Sequence, residues 1–183
     1  MTHALIVGGT GMLKEVSLWL NDERFHVSVI GRRKERLLEL ENHLSFPTKY
    51  TPLPVDYIDE QNFRKALNEA QQQNGPVDML VAWVHGKDPQ AIQTLVEVIG
   101  RDRTDAWTFV HVLGSSSNLE SLKEWVNVPS ICMYRQVKLG FVIEGDTSRW
   151  LTHHEISRGV IEAIEGTERE YVIGYTDPWE RRP

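Results

Sequence analysis

A doubly wound parallel α/β sheet of about seven strands, with helices on both faces, is the fold this sequence predicts. Three observations predict it. Short apolar strands alternate with amphipathic helices along the chain. The first of these strands runs directly into a glycine-rich turn that opens a helix. No repeat, low-complexity tract or linker divides the 183 residues, so residues 1–183 are expected to form a single domain.

Each element has its own local warrant. Ala4-Leu5-Ile6-Val7 is an apolar run of the kind buried on both faces of a sheet. Gly8, Gly9 and Gly11 interrupt it, and Leu13, Val16 and Leu20 then recur at helical spacing. The second strand, His26-Val27-Ser28-Val29-Ile30, stops at Gly31, and Leu37, Leu40 and Leu44 stripe the helix after it. The third strand, near Tyr50–Asp56, contains Pro52 and Pro54. Proline donates nothing to a ladder, so this strand belongs at a sheet edge. A helix with Phe63, Ala66, Leu67 and Ala70 stops at Gly75-Pro76. Met79–Val84 is continuously apolar and therefore central. Asp88-Pro89 caps a helix carrying Ile92, Leu95, Val96 and Ile99. Trp107–Leu113 is the fifth strand and reaches Gly114-Ser115-Ser116-Ser117, after which a short helix is expected over Leu119–Val126. Ile131, Met133, Val137, Leu139, Phe141 and Ile143 fall at period two, which predicts one long strand over Ile131–Ile143. Thr152-His153-His154-Glu155 is a capping box for a helix with Ile156, Val160, Ala163 and Ile164, and a last strand is expected near Tyr171–Ile173.

Composition excludes several function classes. A hydrophobic share of 40% and a charged share of 25% suit a globular chain with one sizeable core. The formal net charge of -6 repels polyanions, so no nucleic-acid partner is expected. No apolar stretch approaches the roughly 20 residues of a membrane helix, so no membrane partner is expected either. Cys132 stands alone, and the apolar start is too short for a signal sequence, which together point to a cytoplasmic location. His153-His154 lacks a matching ligand set, and no metal is expected.

The motif that carries chemistry is Gly8-Gly9-Thr10-Gly11-Met12-Leu13, set between a buried strand and an amphipathic helix. Glycines let the backbone approach a diphosphate closely, and the helix N-terminus offers free N–H groups with a partial positive charge. The bland alternative is an ordinary strand-to-helix turn. These residues resemble the G-x-x-G-x-x-G loop of the extended and atypical short-chain dehydrogenase/reductase superfamily. That resemblance implies a Rossmann-type fold, a nicotinamide cofactor, a small-molecule substrate and a homodimer. The third glycine of the pattern is Lys14 here, to be accommodated by wider packing or by pointing at the phosphates.

The second strand ends in Gly31-Arg32-Arg33. About 20 residues past the motif, an NAD-specific site places an acidic residue on the ribose hydroxyls. Cations stand there instead, and an arginine fork suits a 2′-phosphate. NADP(H) is therefore the expected cofactor, with Arg32 and Arg33 on its extra phosphate. Gly-Arg-Arg at this point also resembles many NADP-dependent members of the superfamily. Asp56 resembles the family aspartate near the adenine ring, although Asp56 or Asp59 could equally cap a helix. Val84-His85-Gly86 replaces the family Asn-Asn-Ala-Gly, leaving His85 and Gly86 as candidates to line the cofactor.

Reductases of the superfamily combine a serine with a tyrosine and lysine at Tyr-x-x-x-Lys on a helix. Tyr134 and Lys138 match the spacing, and Ser115 stands at the end of the fifth strand. These three are the candidate catalytic residues. The alternation around Tyr134, however, predicts a strand, in which four residues span about 13 Å. The leading functional expectation is a small NADP(H)-dependent oxidoreductase acting on a carbonyl or alcohol. The alternatives are a catalytically silent NADP(H)-binding redox sensor and a domain for another phosphorylated ligand.

Overall fold

The computed structural model describes residues 2–85, 89–117 and 126–183. Strands and helices alternate as β1 (His3–Val7), α1 (Lys14–Asp22), β2 (His26–Gly31), α2 (Lys34–Glu41), β3 (Tyr50–Pro54), α3 (Glu60–Asn74), β4 (Met79–Trp83), α4 (Pro89–Gly100) and β5 (Trp107–Leu113). The chain continues as β6 (Cys132–Leu139), β7 (Phe141–Glu144), β8 (Thr147–Trp150), α5 (His153–Glu165) and β9 (Glu170–Ile173). Seven strands form one sheet in the order β3-β2-β1-β4-β5-β6-β9, and every pairing in it is parallel. Proline-bearing β3 lies at one edge and apolar β4 at the centre, as their compositions require.

Parallel neighbours need crossovers that return over a sheet face. Leu5, Val7, Phe63, Leu67, Leu80, Leu95, Phe109 and their neighbours form the core under α3 and α4. Ile6, Val16, Leu20, Val29, Leu37, Val81, Val110, Val137 and Val160 form the core under α1, α2 and α5. The strand-end polar groups opposite the glycine turn are closed among themselves. His3 Nδ1–H donates to the Gly75 carbonyl (2.8 Å), which leaves Nε2 to accept from the Ser28 hydroxyl (2.8 Å). Among the described residues no helix is long and apolar enough to cross a membrane.

Two expectations need correction. The segment Ile131–Ile143 is not one strand, because it breaks at Gly140. A side chain there would collide with the backbone carbonyl of Tyr175, which packs directly against it. β6 stays in the main sheet, whereas β7 turns away to pair antiparallel with β8. The second helix ends at Glu41, so Leu44 packs into the core from the following turn. The helix expected over Leu119–Val126 and the cap at Asp88 fall outside the described residues, apart from Val126, which is buried.

Candidate cofactor and active site

The turn after β1 is shaped by three glycines with three different jobs. Gly8 has φ of +90°, where any side chain is strained. Gly9 lies flat on the sheet, and a carbon added to it would come within 2.5 Å of Ser17 Oγ and 2.9 Å of the Ile6 and Val29 methyls. The Ser17 hydroxyl donates to the Gly9 carbonyl at 3.0 Å and pins the turn to α1. Gly11 faces outward, and a carbon on it would meet nothing nearer than the Gly8 carbonyl at 3.9 Å. α1 opens at Leu13 without a side-chain cap. Among the described residues the N–H groups of Thr10, Met12 and Leu13 meet no acceptor. Thr10 and Met12 are half-buried and Leu13 is fully buried, so the amides of Thr10 and Met12 form the accessible part of a donor cradle at a helix N-terminus, which fits a diphosphate in charge.

Helix α5 supports this cradle from behind. The Ser157 hydroxyl donates to the Met12 carbonyl at 2.7 Å, and His154 Nδ1 lies 2.8 Å from Glu15. Lys14 reaches across to Glu39 of α2 at 3.5 Å, so its charge is directed at the neighbouring helix.

Gly31 brings the end of β2 against the turn, since a carbon on it would lie 3.6 Å from the Thr10 methyl. Arg32 and Arg33 follow and are exposed. Arg32 Nη1 stands 4.0 Å from Asp56 Oδ2 with its side chain 68% exposed, an ion pair too loose and too wet to hold it firmly. Arg33 is the N-cap of α2, and its side chain makes no cap hydrogen bond. Two cations at a helix start oppose the helix dipole, a repulsion that a bound anion removes. Asp59, not Asp56, caps α3, accepting from the Asn62 N–H at 3.2 Å. Asp56 accepts from the Ile58 N–H at 3.1 Å and stays beside Arg32.

The tyrosine and lysine do not come together. Tyr134 pairs with Phe109 in mid-sheet, and Lys138 pairs with Leu113 at the strand end, so they are separated along β6 by about 13 Å. The Tyr134 oxygen lies 2.8 Å from His111 Nδ1 and accepts from Gln136 Nε2 at 3.4 Å. The Phe109 ring stacks on His111 with centroids 5.1 Å apart. Burial pushes the Tyr134 phenol up to about 12 and the His111 imidazole down to about 4. At neutral pH both are uncharged. A phenol activated by a lysine would move the other way. Ser115 is buried at the end of β5. Among the described residues no cluster of histidine, cysteine or carboxylate is arranged to hold a metal ion.

His85 is exposed past the end of β4, and Gly86 falls outside the described residues. Sequence reasoning assigns no role to Trp83, the last residue of β4. Its indole extends along the strand ends, with Cβ 3.4 Å from where a Gly8 side chain would start and Cη2 3.7 Å from the same point on Gly114. His85 packs edge-on against it at 6.3 Å. The signal was a large aromatic placed between two glycine turns.

Fold and turn together are those of the dinucleotide-binding α/β class. The profile of the short chain dehydrogenase family matches residues 2–102, more than half of the sequence, and the chain belongs to this family. The family binds nicotinamide cofactors, NAD or NADP. No curated protein matches the sequence. Among solved structures, a short chain dehydrogenase/reductase family oxidoreductase of Aeromonas hydrophila aligns at a TM-score of 0.64 and 19% identity, over 96% of this chain and 99% of that one. A short-chain dehydrogenase of Streptomyces avermitilis aligns at 0.70 and 13% identity, over 94% and 88%. YwfH, an NADPH dependent reductase involved in bacilysin biosynthesis, aligns at 0.69 and 12% identity, over 94% and 98%. At these identities the likeness is one of fold.

Proposed function

We propose that this chain binds NADP(H) along the C-terminal ends of its strands and works as a small oxidoreductase on a carbonyl or alcohol compound. The observation that carries the reading is the pair of weakly held guanidinium groups, Arg32 and Arg33, beside an open cradle of backbone N–H donors. The amides of Thr10 and Met12 receive the diphosphate, with Gly8, Gly9 and Gly11 keeping the approach clear and Leu13 anchoring the turn in the core. Arg32 and Arg33 grip the 2′-phosphate, and Asp56 lies on the adenosine side. His85 lies on the side of the other half. The nicotinamide, when bound, supplies the reducing equivalent. The chain must add a proton, and Tyr134 is engaged with His111 away from the strand ends. Ser115, His85 and Lys138, all at the strand ends, are the groups left for that task. The NADPH dependence of YwfH, a neighbour in fold, supports the cofactor choice by analogy. A cytoplasmic location and a homodimer belong to the same reading.

Fluorescence titration with NADPH and NADH, on wild type and Arg32→Ala, tests it. The wild type should prefer NADPH, and Arg32→Ala should weaken NADPH by about tenfold while sparing NADH. Equal binding of both nucleotides, unchanged in the variant, overturns the assignment.

One observation favours a second reading, a catalytically silent NADP(H) sensor that regulates a partner: Tyr134 and Lys138 stand apart. NADPH oxidation across a panel of carbonyl compounds separates the two. Turnover marks an enzyme, whereas tight NADPH binding with no turnover marks a sensor.

A further inference from the structure

We propose that the Trp83 indole is the platform on which the nicotinamide ring rests, so that it selects for the intact dinucleotide over its adenosine half. The inference rests on the NADP(H) reading above and assigns the other end of the same site. Strand order gives the direction. The diphosphate cradle follows β1, and the arginines that take the 2′-phosphate follow β2, on the side of β3. A molecule held at those two points must send its remaining half the opposite way, over β4 and β5. Neighbouring strands lie about 5 Å apart, so the ends of β4 and β5 are about 5 and 10 Å from the cradle, a nicotinamide riboside's reach.

Trp83 occupies that path. Its Cβ lies against Gly8 and its six-membered ring against Gly114, so it runs from the cradle toward the end of β5. Both contacts are with glycines, which lets the two turns approach the indole closely, and the indole also packs on the core under α1, α2 and α5. The indole is only half-buried, and His85 meets its edge, not its face, with an interplanar angle of 62°. A half-buried indole beside a glycine turn offers a flat ring a surface for offset stacking.

Calorimetric titration of wild type, Trp83→Ala and Trp83→Leu with NADPH and with 2′-phospho-ADP-ribose, which lacks the nicotinamide, tests the assignment. Circular dichroism checks folding, and Trp83→Leu keeps apolar bulk if Trp83→Ala unfolds. Both variants should lose about tenfold in NADPH affinity and hold 2′-phospho-ADP-ribose within about twofold of wild type. Tryptophan-excited emission should also quench on NADPH binding more in wild type than in Trp83→Leu. Unchanged or tighter NADPH binding in the variants overturns the platform, as does an equal loss for both ligands, which would mean that the indole merely props the Gly8 turn. If wild type binds neither ligand, the NADP(H) reading falls first and takes this inference with it.

Discussion

The β1–α1–β2 corner and the β5–β6 half of the sheet treat polar groups in opposite ways. At the corner, glycines press the backbone onto the sheet, the N–H groups of Thr10 and Met12 meet no acceptor among the described residues, and Arg32 and Arg33 are exposed. In the β5–β6 half, Tyr134, His111 and Gln136 turn inward and bond to one another through the Tyr134 oxygen, against Phe109. The first region is poised for a ligand because its hydrogen-bonding capacity is unspent. The second has spent its capacity on packing, and the tyrosine that sequence spacing nominates is held by a buried histidine.

The sharpest way to break this contrast is to fill the corner. Gly9→Val would drive methyls into Ser17, Ile6 and Val29, and should cost about 3 kcal/mol or more by urea unfolding, with NADPH binding lost. Gly11→Ala meets nothing, and so should keep stability while weakening NADPH. Equal destabilisation by the two changes would deny that the turn has a buried and an open side. The next effect belongs to the inward region. His111 holds its folded pKa at about 4, below the ordinary 6.5, because burial disfavours the charged ring. Its contribution is present in full above 6.5. It is lost as pH falls toward 4, because the unfolded chain takes up the proton first. About 3 kcal/mol should disappear over that window, and His111→Gln should flatten the unfolding profile there. The smallest effect is expected from Tyr134→Phe. It strands a buried ring nitrogen and should cost about 1–2 kcal/mol, yet leave the rate of NADPH oxidation unchanged. Loss of turnover in that variant would make the phenol the proton donor after all.

The corner is legible in sequence because its physics is local. An apolar run, three glycines and an amphipathic stripe decide it within the first 20 residues, and the arginines follow at a fixed structural distance. The strand around Tyr134 is legible too, from its alternation. What escapes is set by remote partners. The period of two runs unbroken through Gly140, and only the carbonyl of Tyr175, far along the chain, forces the break. The hairpin of β7 and β8 did leave a local trace in Gly145-Asp146, where Gly145 takes φ of +59°. The His111–Tyr134 bond needs the parallel register of β5 against β6, which no local pattern encodes. Lys14 likewise finds its partner on a different helix.

The hydroxyl of Ser157 on the Met12 carbonyl ties the opening turn to a helix that lies well past the family match. A minimal module trimmed to residues 2–102 would retain every motif glycine and both arginines, yet it would lose this hydroxyl together with β5, β6 and β9, which complete the sheet and its two cores. Portability of the motif is therefore limited by the chain's last third, which works as a built-in splint for its first turn.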